Sequence, residues 1–172
     1  YPVICADQLV KKIYEKESSK DFLKEINPIF ITNEGIDFKL LRESFFNSSE
    51  LRTKIETFIY KKLESEFKYS LESLNSNYVI YDVPLLFEKK IDNAVDSIIL
   101  VHSSEQHQLE RLIKRDNISK EMALKMIKSQ ISTIDKAFKS DLIINNEKEK
   151  SELEIEYNQK FVPFIKNFLK KS

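Results

Sequence analysis

Four short runs constrain the fold of this chain more than anything else in it. They are PVIC (residues 2–5), NYVIYD (77–82), DSIILVH (96–102) and DLIINN (141–146). Each is β-branched or aromatic and almost continuously apolar, the signature of strands covered on both faces rather than on one. Stretches long enough for helices separate them. A chain that alternates buried strands with helices has one economical solution, an α/β fold in which helices carry the chain between the strands of an open parallel sheet.

The intervening segments read as helical. Residues 7–24 place Leu9, Val10, Ile13 and Tyr14 at helical spacing, and residues 37–74 do the same with Leu40, Leu41, Phe45, Phe46, Leu51, Ile55, Phe58, Ile59 and Leu63. The second stretch holds more helix than one crossover needs, which points either to a helical subdomain over residues 30–75 or simply to core packing. After the third strand, SSEQHQLERLIKRD opens with Ser103 as expected N-cap and Gln106 three residues on, a capping box. A further helix restarts near Ser119. The segment from Lys148 to Ser172 reads as a charged amphipathic helix that Pro163 kinks or interrupts.

Composition narrows the partners. Lys+Arg and Asp+Glu both number 28, so no global field draws in nucleic acid, and any anionic ligand must meet a local cluster. The single cysteine, Cys5, excludes an internal disulfide framework. No apolar run reaches membrane-spanning length and no leader pattern opens the chain, which leads to the expectation of a soluble cytoplasmic protein, a monomer or weak homo-oligomer, without nucleic-acid or membrane partners. His102 and His107, five residues apart, have poor metal-ligand spacing, and no metal-binding residue set is expected. Gly35 is the only glycine, so these 172 residues contain no Gly-x-x-x-x-Gly-Lys phosphate loop.

In open parallel sheets ligands gather beyond the carboxyl ends of the strands. Those ends offer Asp7, Asp82 with Pro84, Leu85, Leu86, Phe87 and Glu88, then His102 with Ser103, then Asn145 with Asn146. A strand that ends in an aspartate, as VIYD does, is what holds a magnesium ion in phosphoryl-transfer enzymes; an aspartate at that point is more commonly a turn residue. Gln108, Arg111 and Arg115 fall at i, i+3 and i+7 on one helix face. Arginine suits phosphate because its planar donors bind oxygens in pairs, although a solvated face paired with Glu110 and Asp116 is the commoner use.

In order and at the right spacings, VICADQLVKKIY, GIDFKLLRESFF, DVPLLFE, QLERLIKRD, Gln130 and SDLIINN resemble the dephospho-coenzyme A kinases. The likeness covers nearly the whole chain and is weakest after Lys148. It implies a P-loop kinase-like fold, a single kinase domain over residues 1–172 with a coenzyme-binding helical subdomain at 30–75 and a helical lid at 108–136, and transfer of the γ-phosphoryl of ATP, accompanied by Mg2+, to the ribose 3′-hydroxyl of dephospho-coenzyme A. Carried over position by position, Asp7 orients that hydroxyl and accepts its proton. Arg115, with Arg111 and Lys136, supplies lid cations. Pro84, Leu85, Leu86, Phe87 and Glu88 line the acceptor pocket, Gln108 and Gln130 join the substrate site, and Asn146 lies near the adenine.

The resemblance also implies a strand and a phosphate loop ahead of Tyr1, a unit of roughly 25 to 30 residues, without which these 172 residues alone are expected to be inactive. The chain departs from the family pattern in three other places: Cys5 stands for an aspartate, Tyr60 and Lys61 for a histidine-proline pair, and Glu147 and Lys148 where a glycine follows the adenine-side asparagine. Two other readings stay open, a nucleotide or nucleoside kinase with a smaller acceptor, and a non-catalytic module that binds the coenzyme without ATP chemistry.

Overall fold

The computed structural model describes residues 1–147 and 149–171; the sequence expectation at Lys148 lies outside them. The chain forms two compact units, Tyr1–Pro84 and Leu85–Ser172, and the boundary falls inside the DVPLLFE motif.

In the first unit strand β1 (Val3–Cys5) runs parallel to β4 (Ile80–Asp82), with Val3 opposite Ile80 and Cys5 opposite Asp82. Both are shorter than the sequence runs that mark them, since the ladder between them pairs only Val3, Ile4 and Cys5 with Ile80, Tyr81 and Asp82. The expected helix over 7–24 is two helices, α1 (Ala6–Glu15) and α2 (Glu17–Ile26), broken at the extended Lys16. Ser19 is fully buried at the break, and its hydroxyl donates to the Ile13 carbonyl, which also accepts from the Lys16 N–H that closes α1. A small antiparallel hairpin, β2 (Ile31–Thr32) with β3 (Gly35–Ile36), follows. Gly35 sits there at φ 121°, a conformation open to glycine and little else.

Helices α3 (Phe38–Asn47) and α4 (Ser49–Glu72) replace the expected single stretch, each started by a side-chain cap: Asp37 accepts from the Leu40 N–H and Ser48 from the Leu51 N–H. Their apolar faces close on α1 and α2. Ile4, Leu9, Ile13, Leu23, Phe30, Leu41, Ile55, Ile59 and Leu63 form one buried cluster, flanked by Phe22 stacked flat on Phe58 with ring centroids 3.9 Å apart.

In the second unit β5 (Ile99–His102) and β6 (Leu142–Asn145) are a second parallel pair, His102 opposite Asn145. Between them lie α5 (Glu105–Asp116), α6 (Lys120–Lys128) and α7 (Thr133–Phe138). The cap of α5 is Ser104, whose hydroxyl accepts from the His107 N–H, one residue later than the expected Ser103. Asn117 ends α5 in the left-handed region at φ 50°, where asparagine's short side chain is tolerated. The expected interruption at Pro163 takes a specific form. Helix α8 (Lys150–Glu156) widens into a π-helical turn over Tyr157–Phe161 before α9 (Val162–Lys171) resumes, relieving the clash between the proline ring and the preceding turn. No helix among the described residues is long and apolar enough to cross a membrane.

Candidate active site

At the carboxyl end of the first parallel pair, β1 passes directly into α1, Cys5 serving as both last strand residue and N-cap, so Asp7 stands exposed in the first helical turn. Asp82, the register partner of Cys5, ends the neighbouring strand and is exposed as well. The two carboxylates therefore open from the same end of one sheet fragment.

The DVPLLFE motif is less uniform than its sequence suggests. Pro84 is exposed, Leu85 and Leu86 are half-buried, and Phe87 is buried in the second unit with the Lys139 ammonium 5.6 Å from its ring centre. Glu88 turns inward. Its Oε1 accepts 2.8 Å hydrogen bonds from the Lys136 ammonium and from the Ile131 N–H, and Lys136 also donates to the side-chain oxygen of Gln130 at 3.2 Å. The Glu88 and Lys136 side chains are only 12% and 11% exposed, and Glu88 Oε2 is buried without a hydrogen-bond partner. Three residues expected to meet substrate, Glu88, Gln130 and Lys136, thus meet one another and tie the turn after β4 to the start of α7.

Burial pushes the Glu88 carboxyl up, but the hydrogen bonds from Lys136 and the Ile131 N–H, with the Lys136 charge, hold it below its usual 4.5. A carboxyl depressed in the folded state stabilises above its unfolded value and loses that contribution as pH falls through the folded one. Glu88→Gln is expected to cost about 3 kcal/mol at neutral pH, because it leaves the Lys136 charge buried beside a neutral partner. It should also flatten the acid side of the stability profile below 4.5, a change read from urea midpoints across pH. A wild-type acid slope retained in the variant would remove Glu88 as its source.

Gln108 is likewise engaged: its amide donates to the Ser103 carbonyl at 2.7 Å and to the Thr133 hydroxyl at 3.2 Å, joining α5 to α7. Arg111 and Arg115 share the same helix but face solvent. Arg115, 72% exposed, is held by its neighbour Asp116 through Nε at 2.8 Å. The face shared by Gln108, Arg111 and Arg115 thus divides into one tether and two outward cations.

A cluster that sequence reasoning missed surrounds Asn146. The Asn146 N–H donates to the His102 carbonyl at 2.7 Å, continuing the ladder past β6. The next residue, Glu147, sends its carboxylate to the start of α5, where it accepts from the Ser104 N–H and, at 3.0 Å, from the Ser104 hydroxyl, and contacts His107 Nδ1 at 2.7 Å. Partial burial pushes that carboxyl up, and the hydrogen bonds from His107 and Ser104 outweigh it, leaving it lower than usual. The anion-attracting end of α5 is thus filled by the chain's own carboxylate. The partners lie about forty residues apart in sequence, and no local pattern announces them. Among the described residues no group of three or more His, Cys, Asp or Glu side chains is arranged to hold a metal ion.

The model of the dephospho-CoA kinase family matches residues 1–152. The chain belongs to the dephospho-CoA kinase family. A dephospho-CoA kinase of Fusobacterium nucleatum is 38% identical over 148 residues, covering 85% of this chain and 77% of that one. One from Listeria monocytogenes serotype 4b is 32% identical over 181 residues, covering 98% and 86%. Among solved structures, dephospho-CoA kinase from Campylobacter jejuni aligns with a TM-score of 0.64 at 25% identity, covering 97% of this chain and 86% of that one. A crystal structure from Thermus thermophilus reaches 0.75 at 23% identity over 90% and 80%, which speaks for the fold alone. The α/β, P-loop kinase-like architecture and the family resemblance read from the sequence both stand on these matches. Asp7, Pro84 to Glu88, Arg111, Arg115, Gln130 and Asn146 all fall within the matched residues.

Proposed function

We propose that the chain transfers the γ-phosphoryl of ATP to the ribose 3′-hydroxyl of dephospho-coenzyme A, the last step of coenzyme A biosynthesis, from one kinase domain with a coenzyme-binding subdomain at residues 30–75 and a lid at 108–136. The observation that carries this reading is the family match over residues 1–152. The geometry supports it through Asp7, an exposed carboxylate in the first turn of the helix that follows β1, where it can meet substrate.

In this reading Asp7 accepts a hydrogen bond from the 3′-hydroxyl and takes its proton as the oxygen attacks phosphorus. Arg115 and Arg111 close over the phosphates and stabilise the charge that gathers on the transferred group. Pro84, Leu85 and Leu86 border the acceptor, with Phe87, Glu88, Gln108, Gln130 and Lys136 holding that border and the lid in place from behind. Asn146 lies beside the adenine.

Magnesium needs only one or two carboxylates when phosphates supply its other ligands, and the exposed Asp82 at the end of β4 fits that modest demand. When bound with ATP it would neutralise charge on the β and γ phosphates.

An acceptor panel on the complete gene product tests the proposal: dephospho-coenzyme A, adenosine and short nucleosides, each with ATP and Mg2+. Dephospho-coenzyme A is expected to give the highest kcat/KM. Faster phosphorylation of the smaller acceptors would move the assignment to a nucleoside kinase of the same fold, and binding without turnover would leave a coenzyme-binding module.

A further inference from the structure

Arg52, in the first turn of α4, lies against two aromatic rings. Its guanidinium carbon lies 5.4 Å from the ring centre of Phe45 and 5.6 Å from that of Phe46. The two rings meet edge to face, 5.2 Å apart at 75°. Its Nε is buried and has no hydrogen-bond acceptor. None of the ion pairs among the described residues uses it.

A structural arginine in such a setting normally finds a carboxylate or a carbonyl, because a buried donor left unpaired costs about 1–3 kcal/mol. Two aromatic faces recover part of that cost and fix the direction in which the guanidinium plane points. They do not supply an acceptor. A cation oriented by packing and left without its counter-charge is prepared for an anion that arrives from outside, and a guanidinium matches phosphate oxygens two at a time.

We propose that Arg52 binds the 5′-diphosphate of the acceptor coenzyme, a binding residue distinct from the lid arginines, which act on the transferred phosphoryl group. This rests on the functional reading above, since the diphosphate is the only anionic group the acceptor carries before it is phosphorylated. Phe45 and Phe46 are positioning residues that hold the guanidinium in its plane.

The test compares Arg52→Met and Arg52→Lys with wild type in the complete gene product, using dephospho-coenzyme A and adenosine as acceptors. Adenosine has the reacting hydroxyl and no diphosphate. Arg52→Met is expected to raise KM for dephospho-coenzyme A about tenfold or more, the loss of one charge-assisted contact. Its kcat and the kcat/KM for adenosine should stay within about twofold of wild type, and Arg52→Lys should restore only part of the affinity because it lacks the planar fork. An unchanged KM, or equal losses for both acceptors together with a lower thermal midpoint, would make Arg52 a packing residue and overturn the proposal. Should wild type neither bind nor phosphorylate dephospho-coenzyme A, the functional reading fails by itself. Arg52 is then judged by inorganic pyrophosphate in calorimetry: weaker binding by Arg52→Met sustains the anion site, and equal binding overturns it.

Discussion

Replacing Asp7 by alanine is expected to lower kcat for dephospho-coenzyme A by about 10² to 10⁴, the range that a positioned general base contributes. Binding of the acceptor, measured by calorimetry in the complete gene product, should hardly change. The separation is possible because of where the residue stands. Asp7 is exposed, it caps nothing, and the α1 face that packs into the core is made by Ala6, Leu9 and Ile13. Removing the carboxylate costs the fold only its favourable interaction with the helix N-terminus, about 0.5 kcal/mol. Asp7→Asn keeps the shape and loses the base, so it should be nearly as slow as alanine. A kcat unaltered in both variants would exclude Asp7 as the base and leave positioning and phosphate electrostatics to account for the rate.

What the sequence made legible and what it hid follow from the range of the interactions involved. The four strands were readable because burial on both faces leaves a mark at every residue, and the runs at 2–5, 77–82, 96–102 and 141–146 all contain an observed strand. The breaks at Lys16 and Ser48 fell inside apolar periodicity that continues across them, so period alone joined helices that the backbone separates. Ser48 was a findable signal, a serine immediately ahead of a helical run and able to cap it; Ser19 was not, because its partner carbonyl becomes available only once α1 has ended.

The expected site positions divide in the same way. Asp7 and Arg115 stand in the open, as their places at a strand end and on a polar helix face imply. Glu88 and Lys136 looked equally available, but each neutralises the other across 48 residues of sequence. Local pattern identifies a residue's chemistry and its side of an element. Whether a charge faces substrate or another charge is decided by chain that packs against it from far away, and the same reasoning hid the contact of Glu147 with His107.

Arg115 is the position where that distinction is expected to have its largest kinetic consequence. It is the more exposed member of an ion pair with Asp116, whose own side chain is only 12% exposed. A surface pair between neighbouring residues stabilises by less than about 1 kcal/mol, so Asp116 orients Arg115 without holding it firmly. Phosphate oxygens carry more charge and can accept two guanidinium donors, so closure of the lid is expected to transfer Arg115 from Asp116 to the γ-phosphoryl group. Arginines that reach a transferring phosphoryl are worth about 10³ or more in kcat. Arg115→Ala should therefore slow turnover by about 10³ while leaving the thermal midpoint within a degree or two, since the side chain packs against little. Arg115→Lys keeps the charge without the fork and should recover only a small part. Asp116→Asn supplies the contrast: by loosening the competing pair it should leave kcat near wild type or raise it. If Arg115→Ala instead raises KM for ATP and spares kcat, the guanidinium holds the nucleotide in its ground state, and the rate must come from Arg111 and the other phosphate contacts.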